Sequence, residues 1–219
     1  MGYYFSKVES KTQENNNNTV DLIFDVDLGD KAIISKIDFI GDKKIKNRTL
    51  RNVIISEESK FWKFISKNKY LNKSLLEKDE RLLKAFYLNK GYYDVEITSS
   101  TVNFLDNNSF NLTFRIDAGN KYIVNNASLE LPIDYDKSNF DDVVKELEKL
   151  NNEIYSFNKV SRVVEEIDKI SLSRQYDFIN AEIIEEKIDE NKLNLVFKVK
   201  ESDKFYIERI NIFGNNITE

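Results

Sequence analysis

FNLTFRIDAGNKYIVNNASLELP, residues 110–132, decides the fold. In its first half Phe110, Leu112, Phe114 and Ile116 alternate with Asn111, Thr113, Arg115 and Asp117. A period of two predicts a strand with one buried face. Beyond Lys121 the apolar residues fall at Tyr122 and Val124, then at Ala127 and Leu129. That slip of one position predicts a β-bulge in a second strand.

The same text occurs elsewhere in the chain. VDLIFDVDLGDK at 20–31 and LNLVFKVKESDK at 193–204 repeat the first half, each closing on a lysine. KAIISKIDFIGD at 31–42 and KFYIERINIFGN at 204–215 repeat the second half, slip included. Between the copies lies helical sequence. Leu75, Leu76, Asp79, Leu82, Leu83, Phe86 and Tyr87 recur at helical spacing, with Asn72 or Ser74 as N-cap and Gly91 just past the end. Leu82 and Phe86 are expected to face the sheet, Glu80 and Lys84 to face away. Val160, Val163, Val164, Ile167 and Ile170 repeat the pattern in the next unit, and shorter helices are predicted near Asn47–Ile55 and Asn139–Leu150. A further strand follows each long helix, at Tyr92–Phe104 and Tyr176–Ile188, and leads through the polar turns LDNNS and IDENK into the opening pattern.

Each unit therefore reads β-α-α-β-β. The predicted class is α+β, with a three-stranded mixed sheet carrying two helices on one face. GYYFSKVE from Gly2 is similar to GYYDVEI from Gly91, so 1–30 reads as the C-terminal part of a preceding unit. Residues 31–119 and 120–202 read as complete units and 203–219 as the first strand of a following one. The expected arrangement is a piece of a longer, extended array in which each unit has its own core.

Composition excludes several chemistries. The chain has 219 residues, 41% hydrophobic and 32% charged, enough for about two ordinary domains. It has no Cys and no His, which removes disulfides, thiolate sites, cysteine nucleophiles and the commonest general base. A net charge of −5 gives no overall attraction to nucleic acid. No apolar run approaches the roughly 18 residues of a spanning helix, and the start lacks a signal-peptide pattern. No phosphate loop, cofactor site or metal site is indicated. Glu57-Glu58 and Glu185-Glu186-Lys187 read as solvated charge, Asn15–Asn18 as a hairpin turn, and Gly41 and Gly214 as turns after strands. A non-enzymatic protein is expected.

The strand pattern I-x-x-I-x-F-x-G-D at Ile34–Asp42, echoed at Ile207–Asn215, and the helix end FYLNKGYY at Phe86–Tyr93 resemble the polypeptide-transport-associated (POTRA) family. The resemblance covers essentially the whole chain. Residues 61–93, with an aromatic insertion between two helices, are most similar to the third of five such units in outer-membrane assembly proteins. Gln175-Tyr176 in place of Gly-Tyr, and Leu131-Pro132 in place of a glycine pair, depart from the family pattern. The resemblance implies a periplasmic scaffold in a Gram-negative bacterium that binds unfolded outer-membrane protein precursors and accessory lipoproteins. It implies membrane attachment only through a barrel outside this chain. The alternatives are the POTRA region of another Omp85-type or two-partner secretion transporter, or a structural or adhesive surface repeat protein.

The candidate site is a strand edge. The strand after the second helix is joined by a hairpin to the regular strand that reads as central, so it lies outermost, with unpaired N–H and C=O groups. An extended polypeptide adds to such an edge through main-chain hydrogen bonds, making little demand on its own sequence. The residues expected to receive it are Tyr93, Val95, Glu96, Ile97, Thr98 and Ser99. Phe61, Trp62 and Phe64 form a second candidate, an aromatic contact loop.

Overall fold

Alternating strands separated by amphipathic helices dictate small layered units, and the computed structural model has that form. It describes residues 3, 6–15, 19–60, 68–70, 72–105, 108–173 and 179–201, with backbone alone for 99–104 and 171–173. Contacts divide the chain into two units, Met1–Lys121 and Tyr122–Glu219.

The first unit opens with a hairpin, β1 (Lys7–Glu14) and β2 (Val20–Asp27), paired from Lys7↔Asp27 to Glu14↔Val20. Then come β3 (Ile33–Ile40), α1 (Asn47–Arg51), α2 (Lys73–Leu88), β4 (Glu96–Leu105) and β5 (Ser109–Asp117). The sheet order is β3-β5-β4. The helical crossover makes β3 and β5 parallel, and the tight turn makes β4 and β5 antiparallel. The α+β class and the mixed sheet are as the repeat implied. Phe110, Leu112, Phe114 and Ile116 turn one face of β5 into the core, against Ile34, Ile37, Phe39, Leu50, Leu83 and Tyr87. The rings of Phe39 and Phe114 stack with centroids 5.5 Å apart. The register of β3 slips between Ile34 and Lys36, where the sequence slips.

Helix α2 begins where the Asn72 side chain accepts the Ser74 N–H at 2.9 Å. It ends at Gly91, with φ +92°, and the Tyr92 N–H reaches back to the Tyr87 carbonyl at 3.1 Å. Its buried residues are Asp79, Leu83 and Tyr87, so the face expected from Leu82 and Phe86 is rotated by one position. Two adjacent apolar rows run along the helix, and polar partners decide between them. Tyr87 Oη donates to the Lys43 carbonyl at 2.6 Å, while Asp79 accepts the backbone N–H groups of Ile55 and Ser56. Burial pushes the Tyr87 hydroxyl well above its ordinary value, so it remains a donor. Gly41 is also more than a turn residue. At φ +91°, a Cβ there would lie 2.4 Å from the Ile116 carbonyl oxygen.

The second unit repeats the plan with β6 (Ile123–Glu130), a 3₁₀ turn (Lys137–Phe140), α3 (Asp141–Glu148), α4 (Phe157–Ser173), β7 (Ile179–Asp189) and β8 (Lys192–Glu201). Its order is β6-β8-β7, with the register of β6 slipping between Val124 and Asn126. Val143, Leu147, Val160, Val163 and Ile167 of the helices are buried, as are Leu193, Leu195, Phe197 and Val199 of β8. Leu131-Pro132 is accommodated without glycine, since the Pro132 carbonyl accepts the Tyr135 N–H at 3.1 Å. Gln175 and Tyr176 lie outside the described residues.

Candidate strand-edge site

A three-stranded sheet has two edges, and the backbone groups of both must go somewhere. In the first unit the outer side of β3 is covered. The Ile34 N–H donates to the Lys69 carbonyl and the Ile34 carbonyl accepts the Ser59 N–H, both at 2.8 Å. Two residues past the bulge, side chains take over. The Ile37 N–H donates to Glu58 Oε1 at 3.1 Å, and Arg51 Nη2 donates to the Ile37 carbonyl at 2.8 Å. Arg51 and Glu58 also pair with each other at 3.0 Å. The second unit closes the matching edge at matching positions. The Val124 N–H donates to the Glu153 carbonyl, the Val124 carbonyl accepts from Asn152 N–H, and the Ala127 N–H donates to Asn151 Oδ1 at 2.7 Å.

The opposite edge is different. Among the described residues β4 pairs with β5 alone and β7 with β8 alone. Beside β4, Glu77, Glu80, Arg81 and Lys84 of α2 and the stretch Val95–Thr98 line an open groove of about 700 Å³. Its strand side alternates apolar Val95 and Ile97 with polar Glu96 and Thr98 and its helical wall carries both signs of charge, so side chains of an added strand would meet no single-sign barrier. The β7 edge carries Glu182, Glu185 and Glu186, a charge pattern that discourages indiscriminate pairing. Lys200, hydrogen-bonded to Glu182, holds that carboxyl below its ordinary value. Of these two strands, β4 carries the fewer carboxylates.

The predicted residues separate on inspection. Glu96, Ile97 and Thr98 lie in β4, with Glu96 and Thr98 exposed and Ile97 packed against the core. Ser99 falls in a bulge, where the register passes from Thr98↔Arg115 to Ser100↔Phe114, so the edge is interrupted after three residues. Tyr93 and Val95 precede the strand. Tyr93 lies in the turn after α2, and Val95 is 3% exposed in the core, because the chain must still turn from the helix onto the sheet there. Phe61, Trp62 and Phe64 lie outside the described residues. Sequence reasoning missed the sealing residues Arg51 and Glu58. Glu58 is held at the β3 edge rather than solvated, and its partner Ile37 is 21 residues away, beyond any local pattern.

This arrangement of two helices over a bulged, mixed three-stranded sheet forms a small α+β domain, and residues 32–119 match the POTRA family, described as "Surface antigen variable number repeat". The chain is similar to the outer membrane protein assembly factor BamA of Buchnera aphidicola subsp. Acyrthosiphon pisum, at 28% identity over 93% of this chain and 33% of the relative. It therefore spans about a third of that relative's length. Its fold is similar to the Haemophilus influenzae BamA POTRA3-5 crystal structure, with a TM-score of 0.58 and 21% identity over 91% of this chain and 74% of the other. The Haemophilus ducreyi BamA structure lacking POTRA domains 1-3 matches with a TM-score of 0.55 and 18% identity, over 78% of this chain and 29% of that one.

Proposed function

We propose that the chain is part of a non-enzymatic periplasmic scaffold of a Gram-negative bacterium, and that it takes up extended segments of outer-membrane β-barrel precursors at the β4 edge. The similarity to BamA over nearly the whole chain supports the setting. The observation that carries the mechanism is the asymmetry of the edges: among the described residues, both units cover the first strand and pair the strand after the second helix on one side alone. Main-chain pairing there suits many clients with different sequences. Accessory lipoproteins are the second class of partner, and the membrane is reached through a barrel elsewhere in the full protein.

Residues 31–119 and 120–202 are proposed as the third- and fourth-like units of the array, with 1–30 and 203–219 belonging to neighbours. Val20, Leu22, Phe24 and Val26 support this reading. They match the buried Phe110, Leu112, Phe114 and Ile116 position for position, yet each is more than half exposed.

The test uses Glu96→Pro and Ile97→Pro, each checked for an unchanged thermal transition, because proline removes a backbone donor and disturbs pairing. A synthetic peptide carrying the terminal strand of an outer-membrane barrel protein is titrated, and amide shifts along 96–105 are followed. Binding weakened at least tenfold in one variant supports the reading. Two folded variants that bind as well as the parent would exclude β4 as the acceptor.

A further inference from the structure

The chain leaves two successive repeats by the same route. Asp27-Leu28-Gly29-Asp30-Lys31 follows β2, and Asp117-Ala118-Gly119-Asn120-Lys121 follows β5. In each, the aspartate Oδ1 accepts the glycine N–H two residues on, at 3.0 Å for Gly29 and 3.4 Å for Gly119. The glycines have φ +58° and +64°. An aspartate-anchored turn with a left-handed glycine reverses the chain out of the strand. The lysine then ends over an aromatic ring. Lys31 Nζ lies 5.2 Å from the Tyr3 ring centroid and Lys121 Nζ lies 5.4 Å from that of Tyr92. Tyr3 and Tyr92 are themselves equivalent, each the residue after the glycine of Gly2-Tyr3-Tyr4 and Gly91-Tyr92-Tyr93. The contact therefore joins the two ends of the last β-hairpin segment of each repeat.

We infer that Asp-x-Gly-x-Lys and this tyrosine form an exit latch, in which the ammonium held over the ring fixes the path of the departing chain against the repeat it leaves. The separation lies within the roughly 6 Å over which a cation is attracted to a ring face. The two latches differ in strength. Tyr92 is 8% exposed and Tyr3 is 38% exposed, so water screens the first latch more than the second. Lys31 has a second ring, Tyr70, at 5.1 Å, which adds to the weaker latch. At Lys31 and Lys121 the repeated lysine, at first only a marker of the period, thereby acquires a positioning role.

The experiment measures backbone ¹⁵N relaxation in the full chain, comparing the parent with Lys121→Gln and Lys121→Arg. Lys121 is exposed, so both variants should keep the parent's thermal transition. In the parent, Gly119 and Lys121 should show order parameters of about 0.85, falling below about 0.6 in Lys121→Gln. Arginine keeps the cation over the ring and should keep the parent values. Lys31→Gln should loosen Gly29 in the same way. Rigid values retained in both glutamine variants, or loosening by arginine equal to that by glutamine, would overturn the latch.

Discussion

Asp79 of α2 reaches across to the segment that follows α1 and accepts the Ile55 N–H at 2.6 Å with a carboxylate that has no solvent exposure. Burial raises its pKa above the ordinary value of 3.8, more than the hydrogen bonds lower it. For an acid raised in the folded state, the native protein takes up the proton first. The ionised group therefore costs stability above the folded pKa, and that cost is relieved as pH falls through it, fully below 3.8. Relative to Asp79→Asn, the parent should gain thermal stability on acidification from neutral pH, which melting curves across that range will read. Asp79→Ala should cost about 1 to 3 kcal/mol for each backbone N–H left without an acceptor.

Leu83→Ala should cost about 2 to 5 kcal/mol, as expected for a fully buried leucine. Leu82→Ala should cost less than half of that, because Leu82 keeps partial exposure. Denaturant unfolding of the two variants checks the phase of α2, and equal losses would contradict it.

That phase marks the boundary of what the sequence reveals. Strand alternation, the bulge position and Gly91 were legible because each is set by neighbours within a few residues. The choice between the Leu82 row and the Leu83 row was not, since it depends on Lys43, Ile55 and Ser56, which approach from other elements. Likewise the position of β4 at the edge follows from hairpin connectivity, whereas the interruption at Ser99 and the covering of β3 by Glu58 arise only when distant segments meet.

Gly41→Ala should be more destabilising than its surface position suggests. A Cβ at 2.4 Å from the Ile116 carbonyl forces the β3 turn away from β5, in addition to the strain of φ +91°. Left-handed strain alone costs on the order of 1 to 3 kcal/mol. At Gly119 the nearest atom to a Cβ is Asp94 Cβ at 3.5 Å, so Gly119→Ala meets strain without collision. Thermal melts should rank Gly41→Ala clearly below Gly119→Ala.

The sealed edge gives the most direct test of how the sheet controls its partners. Arg51 and Glu58 together satisfy both backbone groups of Ile37, a residue 1% exposed. Replacing both by alanine should leave that N–H and C=O without partners, at a cost of about 1 to 3 kcal/mol each, and the surface ion pair itself contributes little beyond this. An open edge recovers the loss by pairing with another strand. The double variant should therefore show faster hydrogen exchange at the Ile37 amide when dilute, and concentration-dependent association by sedimentation velocity that exceeds the parent's. Arg51→Lys should give an intermediate result, because lysine keeps the charge but not the rigid planar guanidinium that holds Nη2 against both the Ile37 carbonyl and Glu58. If the double variant sediments like the parent at every concentration and its Ile37 amide stays protected, then the seal does not govern access to β3. The asymmetry between the two edges would then have to rest on the backbone contacts of Ile34 alone.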